Sequence, residues 1–284
     1  MNVSKKALII EGGGFKSAFS AGVLDVFLTL KYAPFDAVIG VSAGAMNLTS
    51  YLSNQYKRNY KIISKVAQDS SFVSIVRFLK GGDYLNLDQL IEIAQLNHPL
   101  DLSYLEKTLK NIDFYIVCTS IESAQPIYKK AHISNLIKLI KASSSLPIVT
   151  RKFVEINGLK LMDGGFSDPL PSEWAYLNGF NELLIIRSNP LNYIPEKGFV
   201  DLIESVFYND YPLFKSLIQN NAKIYKKNID FLNSRPKDLS ITQIAPKNML
   251  NCTTITQTPD NIMSDYYHGI EQALDYINND DLSK

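Results

Sequence analysis

The chain of 284 residues has few cysteines and histidines, and it lacks any long hydrophobic run. Its two cysteines, Cys118 in an apolar run and Cys252 in a polar stretch, predict neither a disulfide framework nor a metal site, and they favour a reducing compartment. No segment approaches the roughly eighteen apolar residues of a membrane-spanning helix. The 29 basic and 28 acidic residues nearly cancel, so the charge gives no support to nucleic-acid binding.

The amino-terminal segment also lacks the pattern of a signal peptide, because its apolar run is limited to residues 7–10. That run is better interpreted as a first strand. We therefore expect a cytoplasmic location, with export as an effector by a non-standard route as the alternative. Apolar residues make up 46% of the chain, which is typical of a folded protein with a full core.

The most informative motif is the G-x-S-x-G pattern of residues 40–44, which follows a short apolar run and precedes a helical pattern. Such a strand–turn–helix unit lifts a serine hydroxyl clear of the sheet edge, so Ser42 is predicted to be a nucleophile. Gly40 and Gly44 fit this role because strand and helix must pass closely on either side of the serine. The alternative is a glycine-flanked turn in which Ser42 only caps the helix.

A second motif, Gly12-Gly13-Gly14, lies between the first predicted strand and a helix with apolar residues at three- and four-residue spacing. Bare backbone amides at such a place can bind an anion. A dinucleotide pyrophosphate would require a third glycine and a later acidic residue, neither of which is present at the expected position. The better interpretation is the oxyanion that forms when a serine attacks an ester, with Lys16 helping to organise the loop. No cofactor is expected.

A third motif follows a predicted hairpin whose turn is Asn157-Gly158. The hairpin ends in Asp163-Gly164-Gly165, so a carboxylate stands at the end of a strand and the chain can turn tightly beside it. Such a carboxylate is placed to reach another loop at the same edge of the sheet. The alternative is a plain Asp-Gly turn.

A serine nucleophile needs a base, and the sequence leaves two arrangements open. Ser42, Asp163 and His268 occur in the chain order of an α/β-hydrolase triad, but His268 lies inside a helical pattern rather than on a loop after a strand. In the second arrangement, Asp163 acts on Ser42 directly as a dyad. A carboxylate with an ordinary pKa of about 3.9 is a weak base, so a dyad requires a dry site.

Together these motifs resemble those of the patatin-like phospholipase family. The similar segments are the glycine loop with Lys16, the G-x-S-x-G motif, the Asp163-Gly164-Gly165 motif, and the runs ASSSLP at residues 142–147 and DPLP at residues 168–171. The resemblance implies a Ser42–Asp163 dyad without metal or histidine, with an oxyanion loop at Gly12, Gly13 and Gly14. It also implies hydrolysis of phospholipids or other acyl esters.

The fold implied by the resemblance is a three-layer α/β/α sandwich with a mostly parallel central sheet. We expect residues 1–284 to form a single domain, with a catalytic core at residues 7–190 and a mainly helical C-terminal extension at residues 191–284. Within the extension, the apolar-rich segment 199–232 is predicted to be either a helical pair packed in the core or a cover over an acyl-binding groove.

One departure from the family pattern and one charged cluster support alternative functions. Ser17 stands where family members usually carry glycine, and its Cβ lies near the oxyanion loop, which is the argument for an inactive lipid-binding module. A soluble esterase or thioesterase is the alternative among enzymes. Aromatic and basic residues between positions 51 and 65 indicate a solvated helix face or peripheral contact with an anionic lipid surface; they are Tyr51, Tyr56, Lys57, Arg58, Tyr60, Lys61 and Lys65.

Overall fold

A computed structural model describes residues 4–69, 71–150, 152–195 and 208–281. Their centre is an eight-stranded sheet. Its strands are β1 (Lys6–Ile10), β2 (Ala37–Val41), β3 (Asp113–Ser120), β4 (Pro126–Lys130), β5 (Val154–Ile156), β6 (Leu159–Asp163), β7 (Glu182–Ile186) and β8 (Ser240–Ile244). The order across the sheet is β5-β6-β3-β2-β1-β7-β8, with β4 paired to β3.

Five strands, β3, β2, β1, β7 and the edge strand β8, are mutually parallel. The strands β4 and β6 run antiparallel to β3, and β5 and β6 form the predicted hairpin. Its turn residues, Asn157 and Gly158, both have positive φ, as a two-residue hairpin turn requires. The expectation of a mostly parallel central sheet is confirmed.

The described helices are α1 (Ser17–Thr29), α2 (Ala43–Leu52), α3 (Arg58–Gln68), α4 (Ile75–Leu79), α5 (Leu87–Asn97), α6 (Leu102–Thr108), α7 (Leu136–Ser143), α8 (Ser172–Leu177), α9 (Pro212–Gln219), α10 (Asn221–Asn233) and α11 (Pro259–Asp281). No helix among them combines the length and apolar character needed to cross a bilayer.

Helices cover both faces of the sheet, and alternate residues of the central strands show it. Leu8 and Ile10 of β1 pack into one apolar cluster with side chains of α1, α2 and α7. Ala7 and Ile9 pack into a second cluster with side chains of α8 and α10. Because both faces are buried, the central strands are almost wholly apolar, and the expected three-layer arrangement is confirmed.

The predicted helical segment 199–232 is described from residue 208 onward, and residues 199–207 lie outside the described residues. The described part contains α9 and α10, which meet at Asn220. Phe214 and Ile218 of α9 are fully buried against Ile121 and Met162. The described part of this segment is therefore packed in the core.

Candidate active site

Ser42 lies at the sharp turn between β2 and α2. Its φ of 53° is in the left-handed region, which is strained for a residue with a side chain, and only 8% of its surface is exposed. Gly40 and Gly44 allow the backbone on either side of Ser42 to pack closely against its neighbours. A Cβ on Gly40 would lie 2.5 Å from Ala45 Cα, and one on Gly44 would lie 2.6 Å from the Ile10 carbonyl oxygen. The Ser42 hydroxyl makes no capping bond to α2, so the capping interpretation is wrong.

Two of the three consecutive serines at the C-terminal end of α7 connect the loops of the site. The backbone amide of Ser42 donates to Ser143 Oγ at 2.8 Å, and this hydroxyl donates to the Val117 carbonyl of β3 at 2.6 Å. The amide of Asp163 donates to the Ser145 carbonyl at 2.9 Å. Ser143 and Ser145 thus hold the nucleophile and the carboxylate on one frame. In the sequence this run is visible only as a family-like segment, and its composition indicates no role for the individual serines.

Asp163 ends β6 and is 2% exposed. Its Oδ1 accepts a 2.8 Å hydrogen bond from the Gly165 amide, whereas the buried Oδ2 has no hydrogen-bond partner in the described part of the chain. Burial raises the pKa of Asp163 to about 6, and the Ser42 hydroxyl and the Gly165 amide oppose this rise. The Ser42 hydroxyl therefore lies close enough to Asp163 to stabilise its charge, although the two side chains form no regular hydrogen bond here. Gly164 is needed for the tight turn, because a Cβ there would lie 2.2 Å from the Val117 carbonyl oxygen.

The glycine loop lies directly against the nucleophile. A Cβ on Gly12 would stand 3.0 Å from Ser42 Cβ, and Gly14 has a φ of 56°. This proximity follows from the parallel pairing of β1 with β2, which brings the loops after these strands together. Within the described residues, the amides of Gly12, Gly13 and Gly14 donate no hydrogen bond. Three amides without a partner in the described ranges therefore lie on the loop that contacts the predicted nucleophile through Gly12.

Two flanking residues of this loop have different surroundings. Lys16 donates from Nζ to Asn189 Oδ1 at 2.8 Å, and burial lowers the pKa of this ammonium group. Ser17 begins α1 and lies on the wall of the adjoining cavity. Lys16 thus joins the loop to the chain beyond β7, and Ser17 faces the space beside Ser42.

The structure does not bring His268 to Ser42. Its Nε2 accepts a 3.3 Å hydrogen bond from the Lys247 amide, and its ring packs edge-on against Phe19. His98 follows α5, and neither it nor His132 lines the cavity beside the serine. In the described ranges, no group of three or more His, Cys, Asp or Glu side chains is arranged to hold a metal ion.

A cavity of about 430 Å³ opens beside Ser42 and extends between α2, α3, α5 and α7. Its walls are mainly apolar and include Met46, Ile62, Val66, Leu90, Ile137 and Ile140. Part of the aromatic and basic cluster belongs to this region: Tyr51 and Arg58 are buried, and Arg58 Nε donates to the His98 carbonyl at 2.7 Å. The cluster is therefore not a single solvated or lipid-facing surface.

Comparison with known proteins gives two family matches along the chain. A model described as Patatin-like phospholipase matches residues 8–176, and one described as a domain of unknown function, DUF6363, matches residues 211–279. A relative in Escherichia coli (strain K12), named Uncharacterized protein YjjU, is 29% identical over 265 residues, which cover 93% of this chain and 74% of that protein.

Two solved structures are similar to this chain. VipD from Legionella pneumophila aligns with a TM-score of 0.55 at 13% identity, over 98% of this chain and 67% of that one, and this likeness concerns the fold. The type III effector protein ExoU of Pseudomonas aeruginosa aligns with a TM-score of 0.43 at 11% identity, over 98% of this chain and 53% of that one. Since the first family model spans more than half of the sequence, the chain belongs to the patatin-like phospholipase family.

Proposed function

We propose that the protein is a lipid acyl hydrolase in which Ser42 and Asp163 act as a catalytic dyad. Ser42 Oγ attacks the ester carbonyl carbon while Asp163 Oδ2 accepts the hydroxyl proton. The amides of Gly12, Gly13 and Gly14 stabilise the oxyanion. When the tetrahedral intermediate collapses, the carbonyl–alkoxy bond breaks, Asp163 returns the proton to the leaving alcohol, and an acyl-enzyme remains. Water then attacks this ester with Asp163 again as base, which releases the fatty acid and regenerates the serine.

The observation that carries the proposal is the unpaired Oδ2 of Asp163, buried within electrostatic reach of the Ser42 hydroxyl. A buried acceptor without a donor is uncommon, because a hydrogen bond that is left unmade in the interior costs about 1–3 kcal/mol. A proton acceptor that must bond to a hydroxyl only during the reaction accounts for it. The raised pKa also makes this carboxylate a stronger base than an exposed one.

The cavity supports a lipid as the acyl donor. The cavity volume of about 430 Å³ is enough for roughly fourteen groups of about 30 Å³ each, the volume that one water molecule occupies in the liquid. A long acyl chain has a similar number of carbon atoms. Its apolar walls suit a hydrocarbon better than a polar acid. We therefore assign the cavity to the acyl chain and the loops around Ser42 to the ester group. A lipid substrate in a bilayer also implies peripheral contact with the membrane.

The test combines a serine variant with an activity-based probe. Ser42→Ala is expected to abolish hydrolysis of p-nitrophenyl acyl esters and labelling by a fluorophosphonate. Ser172→Ala is the matched control, because this serine is also buried, its hydroxyl has no hydrogen-bond partner among the described residues, and it does not line the cavity. Equal turnover by wild type and Ser42→Ala would refute the assignment, and a wild type that resists the probe would instead favour the inactive lipid-binding module.

Substrate form separates the lipase from the soluble esterase. Phospholipid vesicles and short monomeric esters are compared at equal ester concentration. A lipid acyl hydrolase releases fatty acid from the vesicles with a rate dependent on Ser42, whereas an esterase or thioesterase acts only on the monomeric substrates.

A further inference from the structure

The region 211–279, which matches the domain of unknown function, reaches the glycine loop. The carbonyl oxygen of Thr254 lies where a Cβ on Gly14 would stand, only 2.0 Å from that position. Helix α11 crosses α1 equally closely, since a Cβ on Gly269 would lie 2.0 Å from the Phe19 carbonyl oxygen. The loop and the helix that follows it are thus both packed against backbone of the C-terminal region.

A buried polar network fixes the other end of the loop. Glu11 immediately precedes Gly12, and its carboxylate accepts hydrogen bonds from Tyr225 Oη at 3.0 Å, Asn189 Nδ2 at 2.9 Å and the Ser188 amide at 2.7 Å. Arg187 Nε, at 3.4 Å from Glu11 Oε2, is a fourth donor, and together the four leave the buried carboxylate little freedom to turn. Since Glu11 and Gly12 share a peptide bond, the orientation of this residue constrains the first amide of the loop.

Tyr225 contacts both members of an ion pair, because Arg187 also pairs with Glu11 directly. Its hydroxyl accepts a 2.8 Å hydrogen bond from Arg187 Nη2, and Arg187 also donates from Nη1 to Gln243 Oε1 at 2.9 Å. Burial raises the pKa of Tyr225, so the hydroxyl stays protonated and can donate to Glu11. Asn189 accepts from Lys16 while it donates to Glu11, so the network holds both flanks of the loop.

We propose that residues 211–279 complete the oxyanion hole, with Tyr225 as a positioning residue that acts through Glu11 on the amides of the glycine loop. The inference rests on the proposed hydrolase function and deepens it. It gives this region a role in transition-state stabilisation, beyond packing on the catalytic core. The consequence is that loss of the Tyr225 hydroxyl slows acyl transfer without weakening acyl-chain binding, since Tyr225 does not line the cavity.

The test is Tyr225→Phe, measured by steady-state hydrolysis and by the rate of fluorophosphonate labelling. A small loss of loop alignment is expected to lower kcat about tenfold, with KM changed less than about twofold, since displacements near 1 Å cost up to about a hundredfold. Labelling is expected to slow by a similar factor. Asn189→Ser removes another donor from the same carboxylate and is expected to act in the same direction.

The matched control is Tyr266→Phe. Tyr266 belongs to the same region, is also buried, and donates to a carboxylate, Asp25 Oδ2, at 2.7 Å, but that carboxylate belongs to α1 and is not adjacent to the glycine loop in the chain. This variant is expected to lose stability like Tyr225→Phe and to keep wild-type kcat and labelling. If both tyrosine variants match wild type in kcat, or slow equally, the inference is wrong. If the wild-type protein is not labelled at all, the proposed function has failed, and the inference fails with it.

Discussion

Asp163→Asn provides the sharpest prediction, because it should inactivate the protein and stabilise it at the same time. Burial raises the pKa of Asp163 from 3.8 to about 6, so the folded protein holds the ionised carboxylate at a cost of about 3 kcal/mol at neutral pH. Asparagine is neutral and its Oδ1 can still accept from the Gly165 amide. The variant therefore removes the cost of the charge and keeps the local turn.

The stability of the folded wild type depends on pH through the ionisation of Asp163. Because the unfolded chain ionises first, the folded wild type loses stability as pH rises from about 4 through about 6. The gain in unfolding free energy for Asp163→Asn is thus about 0.6 kcal/mol at pH 4 and about 3 kcal/mol at pH 8, as an upper value. Urea unfolding at both pH values measures it, and ester hydrolysis measures the expected loss of turnover by more than about a thousandfold.

Ser42→Ala is the control for this comparison, since it removes turnover but keeps the carboxylate. Its stability should still fall as pH rises, and somewhat more than that of the wild type, because the Ser42 hydroxyl no longer opposes the raised pKa of Asp163. A gain for Asp163→Asn that is equal at pH 4 and pH 8 would contradict the buried, ionised base. Full activity of the variant would contradict the dyad.

Three further predictions test the same site. The kcat/KM of wild type should fall tenfold per pH unit below about 6 and level off above it, because the base must be ionised; a pH–rate profile without this limb would exclude Asp163 as the base. Ala94→Phe places a ring in the acyl cavity, so turnover of p-nitrophenyl palmitate should fall at least about tenfold while that of the butyrate ester stays unchanged. His268→Ala should leave kcat/KM unchanged in the same assay, and a loss as large as that of Ser42→Ala would restore the triad.

The sequence predicts much of the fold and most of the candidate site because the reactive residues directly follow buried strands. Ser42 and the glycine loop come after β2 and β1, and parallel pairing of these two strands is sufficient to place them together. Asp163 ends a hairpin strand marked by its Asn-Gly turn. Short-range patterns in the sequence are therefore enough to predict where these residues lie in the fold.

Short-range sequence patterns do not predict the hydrogen bonds that support the site, because these join residues far apart in the chain. Tyr225 meets Glu11 across 214 positions of sequence, and Ser143 meets Ser42 across 101. Apolar spacing predicts a helix at Tyr225 but does not determine which loop its hydroxyl reaches. Ser143 was visible only as one of three adjacent serines, whose individual roles depend on the path of the chain after α7. The signal that could have drawn attention to Glu11 is its place between a buried strand and the glycines, where a carboxylate needs donors.

The energetic state of the site explains why these distant contacts are needed. Ionised Asp163 costs about 3 kcal/mol and the left-handed φ of Ser42 adds about 1–3 kcal/mol, and this sum is comparable to the lower end of the about 5–15 kcal/mol by which domains are stable. Relaxation of either residue would lower the free energy and destroy the reactive geometry. Hydrogen bonds from Ser143 and Ser145 resist this relaxation at the two reactive residues, and the network around Glu11 resists it at the amides. The polar side chains buried around the site are therefore best explained as restraints on a strained arrangement, at a place where apolar packing alone would favour its collapse.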